Sequence, residues 1–430
     1  KGRTSTDKDV LEHLAYLPEV RGLLTYREND KLLSTFVLSL RKYVDKNWRL
    51  HPMWAVNAIT GRWKSSYPGC FDGATEILTE TGWVPFAKLH EDVKVAQYWK
   101  EGGRIEFVRP SRLVKYRSPE ISRLRAGAGR FVDLLVTGDH RMLMRKIGQH
   151  HKRVTWEDHP ASWFASHNYG GGSAPVAGMY AGGSLRFTPA FVALLCAAQA
   201  DGSWNGSGWV FGLSRPRKIA RLRGALKTLG APFTVRYTVE KNPFTGKPRK
   251  RVKVYVKACP AGREVRRWLG CAPTKVFGPW VLELDRKTLD CFVAELPHWD
   301  GSIRGDCYAS SIRENADWVQ IAHILSGRRA RIRAYTKSKV QKKVNWQVDA
   351  PHDPKRAFVT FCDMKVDRLP WNRNVYCVTV PSSYIVVRRG GNVIVTGQCQ
   401  NWSKGDQIWP CAVCFAHKEQ CACEGGYQKL

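Results

Sequence analysis

Val393-Ile-Val-Thr-Gly-Gln-Cys399 reads as a short apolar strand that ends in a side-chain amide and a thiol, while far upstream Gly69-Cys70 places a second thiol behind a glycine. Short runs bounded by Gly, Asp and Pro follow that first thiol: Thr75-Glu-Ile-Leu-Thr79, Gly82-Trp-Val-Pro-Phe86 and Val132-Asp-Leu-Leu-Val-Thr137. This is the pattern of a compact all-β unit. The same style returns in Asn374-Val-Tyr-Cys-Val-Thr-Val380 and Tyr384-Ile-Val-Val-Arg388, with Gly390-Gly-Asn392 as a hairpin turn. One β unit, 70–167 and 346–398, is therefore expected to be split by a mixed α/β insert over 186–345. The glycine-rich stretch 168–185 is expected to be a linker, because glycines do not favour a packed element.

The insert repeats itself. Ala200-Asp-Gly-Ser-Trp204 and Trp299-Asp-Gly-Ser-Ile303 each follow an apolar helical run and lead into a strand and a helix closed by glycine, at Gly230 and Gly327. Internal duplication is expected. After each helix comes a basic hairpin, pairing Val235–Val239 with Lys250–Val256 and Ala330–Tyr335 with Lys343–Val348.

The chain of 430 residues carries 69 Lys+Arg against 37 Asp+Glu, a formal charge of +32, and is 43% hydrophobic. That length and apolar content can fill several cores, and the charge predicts a polyanionic partner, with nucleic acid the first choice. Thirteen cysteines, an odd number scattered apart from one late cluster, do not form the framework of a secreted disulfide protein. A reducing, cytoplasmic setting is expected. The longest apolar run, Phe191–Ala200, is too short for a membrane span, so no membrane partner is expected. The chain starts without Met, which is read as a fragment of a longer product.

A cysteine thiol behind a glycine can attack the preceding carbonyl and convert the Gly69–Cys70 amide into a thioester. The shift is uphill and calls for donors aimed at the developing oxyanion. Thr137-Gly-Asp-His140, at a strand end, offers a hydroxyl, a backbone N–H and an imidazole, with His140 the candidate to protonate the departing nitrogen. Cys399 can then accept the acyl group, and the Gln398 side chain can cyclise on its own carbonyl, cutting Gln398–Cys399.

Cys70-Phe-Asp-Gly-Ala-Thr-Glu-Ile-Leu-Thr79, the Thr137–His140 block, Val375-Tyr-Cys-Val-Thr-Val-Pro381 and Val395-Thr-Gly-Gln398 before Cys399 resemble an intein over residues 70–398. The resemblance implies the horseshoe-shaped all-β Hint fold and self-excision with ligation of Gly69 to Cys399, without a cofactor. Several positions depart from the family. Gln398 replaces the usual Asn, Gly397 the usual penultimate His, no His stands near Ser383-Tyr384, and Cys377 sits where Asp is common.

Within the insert, paired Asp201 and Asp300 at helix ends are candidate Mg²⁺ ligands for phosphodiester cleavage. Leu194–Gly202 and Val293–Gly301 resemble degenerate LAGLIDADG motifs. A pseudo-twofold α/β homing endonuclease is implied, cutting double-stranded DNA at a target in the interrupted gene, with Lys250, Arg251 and Lys253 on a DNA-facing ribbon. Lys275 matches a block where that family often has a functional lysine. Gln199 and Pro297 depart from the motif and leave open a splicing element with a decayed nuclease.

Joining Ile59–Gly69 to Cys399-Gln-Asn-Trp402 resembles a family A DNA polymerase motif, and Tyr26–Thr35 is similar to its primer-contacting block. That implies mainly helical flanks, 1–69 and 399–430, from a polymerase of viral type. It also implies primer–template contacts by Arg27, Lys31, Thr35, Arg62, Gln400 and Asn401. Cys411, Cys414, Cys421 and Cys423 have ligand-like spacing for structural Zn²⁺, with free thiols as the alternative. The competing class for the whole chain is a non-catalytic nucleic-acid-binding module with structural cysteines.

Overall fold

The computed structural model describes residues 11, 16–33, 54–55, 64–65, 69–127, 132–147, 154–167, 172–241, 248–270, 275–302, 307–335, 344–351, 357–361 and 363–398. The chain divides into two units, Lys1–Pro68 and Gly69–Leu430.

In the first unit a helix spans Pro18–Leu32, started by a proline whose fixed φ suits the first turn, and Trp54–Ala55 pairs antiparallel with Lys64–Ser65. Arg27 and Lys31 fall one turn apart on that helix. Thr35, Arg62, Cys399, Gln400, Asn401 and the cysteines 411, 414, 421 and 423 lie outside the described residues. The described chain is mostly β-sheet with few helices, and the expectation of mainly helical flanks is not supported.

In the second unit the two ends of the expected β element interleave. Lys365–Thr379 runs antiparallel along Arg112–Ala126, and with Phe71–Asp72 and Val132–Val136 these strands close into a barrel. A seven-stranded sheet places Tyr384–Arg389 between Val95–Trp99 and Glu76–Thr79, with Asn392–Gly397 paired to it through the Gly390-Gly391 turn. Both turn glycines have positive φ, +56° and +79°, the conformation a tight hairpin demands. The closing strand Asn392–Gly397 is buried along its whole length, so the apolar run that opened the sequence reading is a core strand.

The insert holds two four-stranded antiparallel sheets of the same strand order. One is built from Gly202–Trp204, Gly208–Leu213, Pro248–Lys257 and Phe233–Lys241, the other from Gly301–Ser302, Cys307–Ser310, Asn345–Asp349 and Arg331–Tyr335. Both expected hairpins form, the last strand running over Asn345–Asp349. The copies differ at their first helices. Pro189–Asp201 is α-helical to the aspartate, whereas the second helix stops at Glu295 and a 3-10 turn over Leu296–His298 precedes Asp300. Pro297 lacks an N–H and cannot continue the α-helical ladder.

The expected linker is packed over its described part. Ser173–Pro175 pairs with Arg145 and with Phe358–Thr360, and Met179–Tyr180 pairs in parallel with Arg104–Ile105. Its glycines serve close approach instead of flexibility: a Cβ on Gly183 would lie 2.3 Å from the Glu283 carbonyl oxygen. Host and insert also share one hydrophobic cluster, in which Tyr98, Ile105 and Val386 join Leu195, Phe292 and Ile321.

Candidate functional site

The turn after Val132–Val136 is clasped to the upstream cysteine. The Cys70 N–H donates to Thr137 Oγ1 at 3.0 Å, and the Thr137 N–H donates to the Cys70 carbonyl at 2.9 Å. His140 closes the turn by donating its N–H to the Thr137 carbonyl at 3.0 Å. Gly69 lies flat against this turn, since a Cβ there would stand 2.5 Å from His140 Cα. Cys70 and His140 are both fully buried.

His140 also reaches the other end of the element. Its Nε2 lies 2.9 Å from Thr396 Oγ1, and Phe71 packs edge-on against the ring at 4.4 Å between centroids. Burial pushes the imidazole down to about 4, against weaker pulls upward from Cys377 and the Gly69 backbone. The ring is therefore neutral at neutral pH, and Nδ1 is buried without a hydrogen-bond partner among the described residues. Cys377, expected from its position alone, is buried and acts on this imidazole through its charge, its Sγ donating to the Val378 carbonyl at 3.6 Å.

At the downstream end the Gln398 side chain is held by one backbone residue. Its Oε1 accepts from the Val380 N–H, and its Nε2 donates to the Val380 carbonyl at 2.8 Å. The Gln398 N–H donates to the Ser383 carbonyl at 3.1 Å, and Ser383 holds φ +67°, an uncommon value for a residue with a Cβ. Gly397 is pressed onto Arg141, whose carbonyl oxygen would be 2.5 Å from an added Cβ. Sequence reading missed Arg141, Val380 and Ser383, which only the packing of distant segments brings to the junction, and the contact of Thr396 with His140.

The insert places Asp201 and Asp300 at one point. Lys218 Nζ lies 2.5 Å from Asp201 Oδ2 and 3.8 Å from Asp300 Oδ1, with the lysine side chain only 9% exposed. Lys218 comes from the helix Pro216–Thr228 and also sits 5.9 Å over the Trp299 ring. Lys275 donates to the carbonyls of Ala198, at 2.7 Å, and Gly202. Burial pushes its ammonium down, opposed by the charges of Asp300 and Asp201. Asn315 supports it by donating to the Lys275 carbonyl at 3.1 Å. Two converging carboxylates suit a divalent cation that completes its shell with water and phosphate, and Lys218 competes for that place. Among the described residues no group of three or more His, Cys, Asp and Glu side chains gathers to hold a metal.

The basic ribbon is only partly free. Arg251 and Lys253 both pair with Glu240, at 3.0 and 2.9 Å. Strand alternation puts them on one face with Tyr255 and Lys257, while exposed Lys250 has the parity of buried Val254 and Val256. The register adds Arg236, which pairs across from Lys253 and stacks on Tyr255 at 5.3 Å. No helix among the described residues is long and apolar enough to cross a membrane.

No protein-family model matches the chain. The ribonucleoside-diphosphate reductase subunit beta of Aquifex aeolicus (strain VF5) is 28% identical over 375 residues, covering 77% of this chain and 50% of that protein. The chain thus spans about half the length of the curated relative it matches. Residues 1–69 and 399–430 make up less than a quarter of the chain, so a match this wide lies mostly within 70–398. Among solved structures, a splice-inactive AceL NrdHF class 3 split intein aligns at TM-score 0.28 and 10% identity over 77% of this chain and 99% of that one. The homing endonuclease I-DmoI bound to its target DNA aligns at 0.27 and 9% over 38% of this chain and 89% of that one. Full-length DUF199/WhiA from Thermatoga maritima aligns at 0.27 and 14% over 38% and 53%. At such TM-scores the fold has to be read from the chain's own topology.

Proposed function

We propose that residues 70–398 form an autocatalytic protein-splicing element of the intein kind, with a DNA-cleaving domain inserted in it. The observation that carries this reading is the Thr137–Arg141 turn, which touches Gly69 and Cys70 on one side and Thr396 and Gly397 on the other. A buried thiol behind a glycine, an imidazole and an amide before a second thiol are the parts that N-to-S acyl transfer and amide cyclisation need.

The Cys70 thiol attacks the Gly69 carbonyl carbon, the C–N bond breaks and a thioester forms, with the thiol proton ending on the Cys70 nitrogen. A neutral His140 can take that proton from the thiol and return it to the departing nitrogen. Cys399 then takes the acyl group. Gln398 Nε2 must leave Val380, attack its own carbonyl carbon and expel the Cys399 nitrogen as a free amine, which then attacks the Gly69 thioester carbon and displaces Cys399 Sγ as a thiol, so that an ordinary amide joins Gly69 to Cys399.

In the insert, Asp201 and Asp300 would hold Mg²⁺, which supplies Lewis acidity for phosphodiester hydrolysis when bound. The chain's own part is to converge two carboxylates, hold Lys275 between Ala198 and Gly202, and offer Arg236, Arg251 and Lys253 to double-stranded DNA. One observation favours a DNA-binding domain with weakened cleavage: Lys218 already bridges the aspartates. The flanks are read as parts of a family A DNA polymerase from the run across Gly69 and Cys399 and from Tyr26–Thr35 alone.

Mass spectrometry of the chain expressed in cells tests the reading. An excised 70–398 product and a ligated flank are expected, and Cys70→Ala should abolish both. A wild-type chain that stays intact refutes it.

A further inference from the structure

Arg141 touches both Ser383 and the Thr396-Gly397 segment that leads to the downstream junction, yet no step above uses its side chain. Its carbonyl oxygen accepts from Thr396 Oγ1 at 3.1 Å, and its Nη2 donates to the Ser383 carbonyl at 2.9 Å. That same carbonyl accepts the Gln398 N–H. The guanidinium lies over the Tyr384 ring at 5.2 Å, which fixes its plane. Its Nε would stand 2.8 Å from a Cβ on Gly397, so it faces the backbone next to Gln398. Nε is buried and has no hydrogen-bond partner among the described residues. An unmade bond of a buried guanidinium is costly unless another state uses it.

We propose that Arg141 is the positioning residue for cleavage after Gln398: it clamps the Ser383–Gln398 contact and turns an unused Nε–H toward the segment whose carbonyl is attacked. The proposal rests on the splicing reading. Gly397 and Ser383-Tyr384 carry no histidine, and Arg141 fills the space between those two segments. In the step itself Gln398 Nε2 bonds to its own carbonyl carbon, the bond to the Cys399 nitrogen breaks, and one proton passes from Nε2 to that nitrogen. Arg141 transfers nothing. It stabilises charge on the oxygen and holds the chain still. His140 and Arg141, adjacent in sequence, would thus serve the two junctions separately.

The test uses the full chain and reads the two cleavages apart, with dithiothreitol releasing the flank at the Gly69–Cys70 thioester. Wild type must first show both cleavages, and a wild type with neither refutes the splicing reading itself. Given a competent wild type, Arg141→Ala should keep thiol-dependent release within about twofold while slowing cleavage after Gln398 about 100-fold, the loss expected for one oriented donor. Arg141→Lys keeps the charge and packing but not the fork, and should fold and still be slowed about tenfold or more in that step alone. Added guanidinium ion should partly rescue Arg141→Ala. Equal slowing of both cleavages, or none in either variant, overturns the proposal.

Discussion

Lys218 and Asp201 form a contact of 2.5 Å at the place where Asp300 also converges, 3.8 Å from the same ammonium. One buried lysine thus occupies the space between two carboxylates that could otherwise hold a divalent cation. Lys218→Met should raise Mn²⁺ affinity about tenfold, as measured by paramagnetic resonance titration, because a competing cation leaves a similar volume behind. Affinity equal to that of wild type would mean that the ammonium moves aside at no cost.

His140 makes stability depend on pH. Its folded value of about 4 lies below its ordinary 6.5, so between these the unfolded chain takes a proton that the folded chain refuses. Stability therefore rises with pH across that window, and acidification costs about 3 kcal/mol through this residue. Denaturant midpoints at pH 7 and pH 4.5 should converge more for His140→Gln than for wild type. Parallel losses in the two proteins would count against it.

Arg388 joins host to insert. It is 1% exposed, donates to both Glu76 carboxylate oxygens at 2.7 Å, bonds Asp317 and Gln320 of the Arg313–Leu325 helix, and covers the Trp83 ring at 4.6 Å. Arg388→Met leaves Glu76 and Asp317 without this charge partner and should destabilise the protein by about 3–5 kcal/mol. Deleting the insert should do similar damage unless Glu76 and Arg388 are replaced together. A deletion as stable as the whole chain would show that the insert is a passenger.

Gly397 should not tolerate the histidine that its position has in the intein family. A Cβ there meets the Arg141 carbonyl oxygen at 2.5 Å, and that atom belongs to a paired strand that cannot give way cheaply. Gly397→His should lose about 1–3 kcal/mol from overpacking and slow release of the downstream flank. Faster release in that variant would mean that the strand yields.

The split β unit, the duplicated insert and the two thiols were legible in the sequence because each rests on local pattern. Short runs rich in β-formers and bounded by turn residues marked Glu76–Thr79 and Tyr384–Arg389 as strands, and two Asp-Gly-Ser triplets marked the repeat. The role of 168–185 was not legible, since glycine permits both a mobile chain and close backbone contact, and composition alone does not say which. The 3-10 turn before Asp300 was signalled by Pro297 but read only as a departure from a motif.

By itself the sequence determined which groups are present: a thiol after Gly69, an amide at Gln398, an imidazole in a strand-end turn and two aspartates in repeated settings. Tertiary structure alone decided their states and neighbours. His140 is neutral because it is buried, Arg141 stands by the segment before Gln398 because strands from both ends of the unit pack together there, and Lys218 lies between the aspartates because a second helix packs on the first. Local pattern reports the period of a side chain along its own element, whereas desolvation and charge pairing depend on which distant element comes to lie against it.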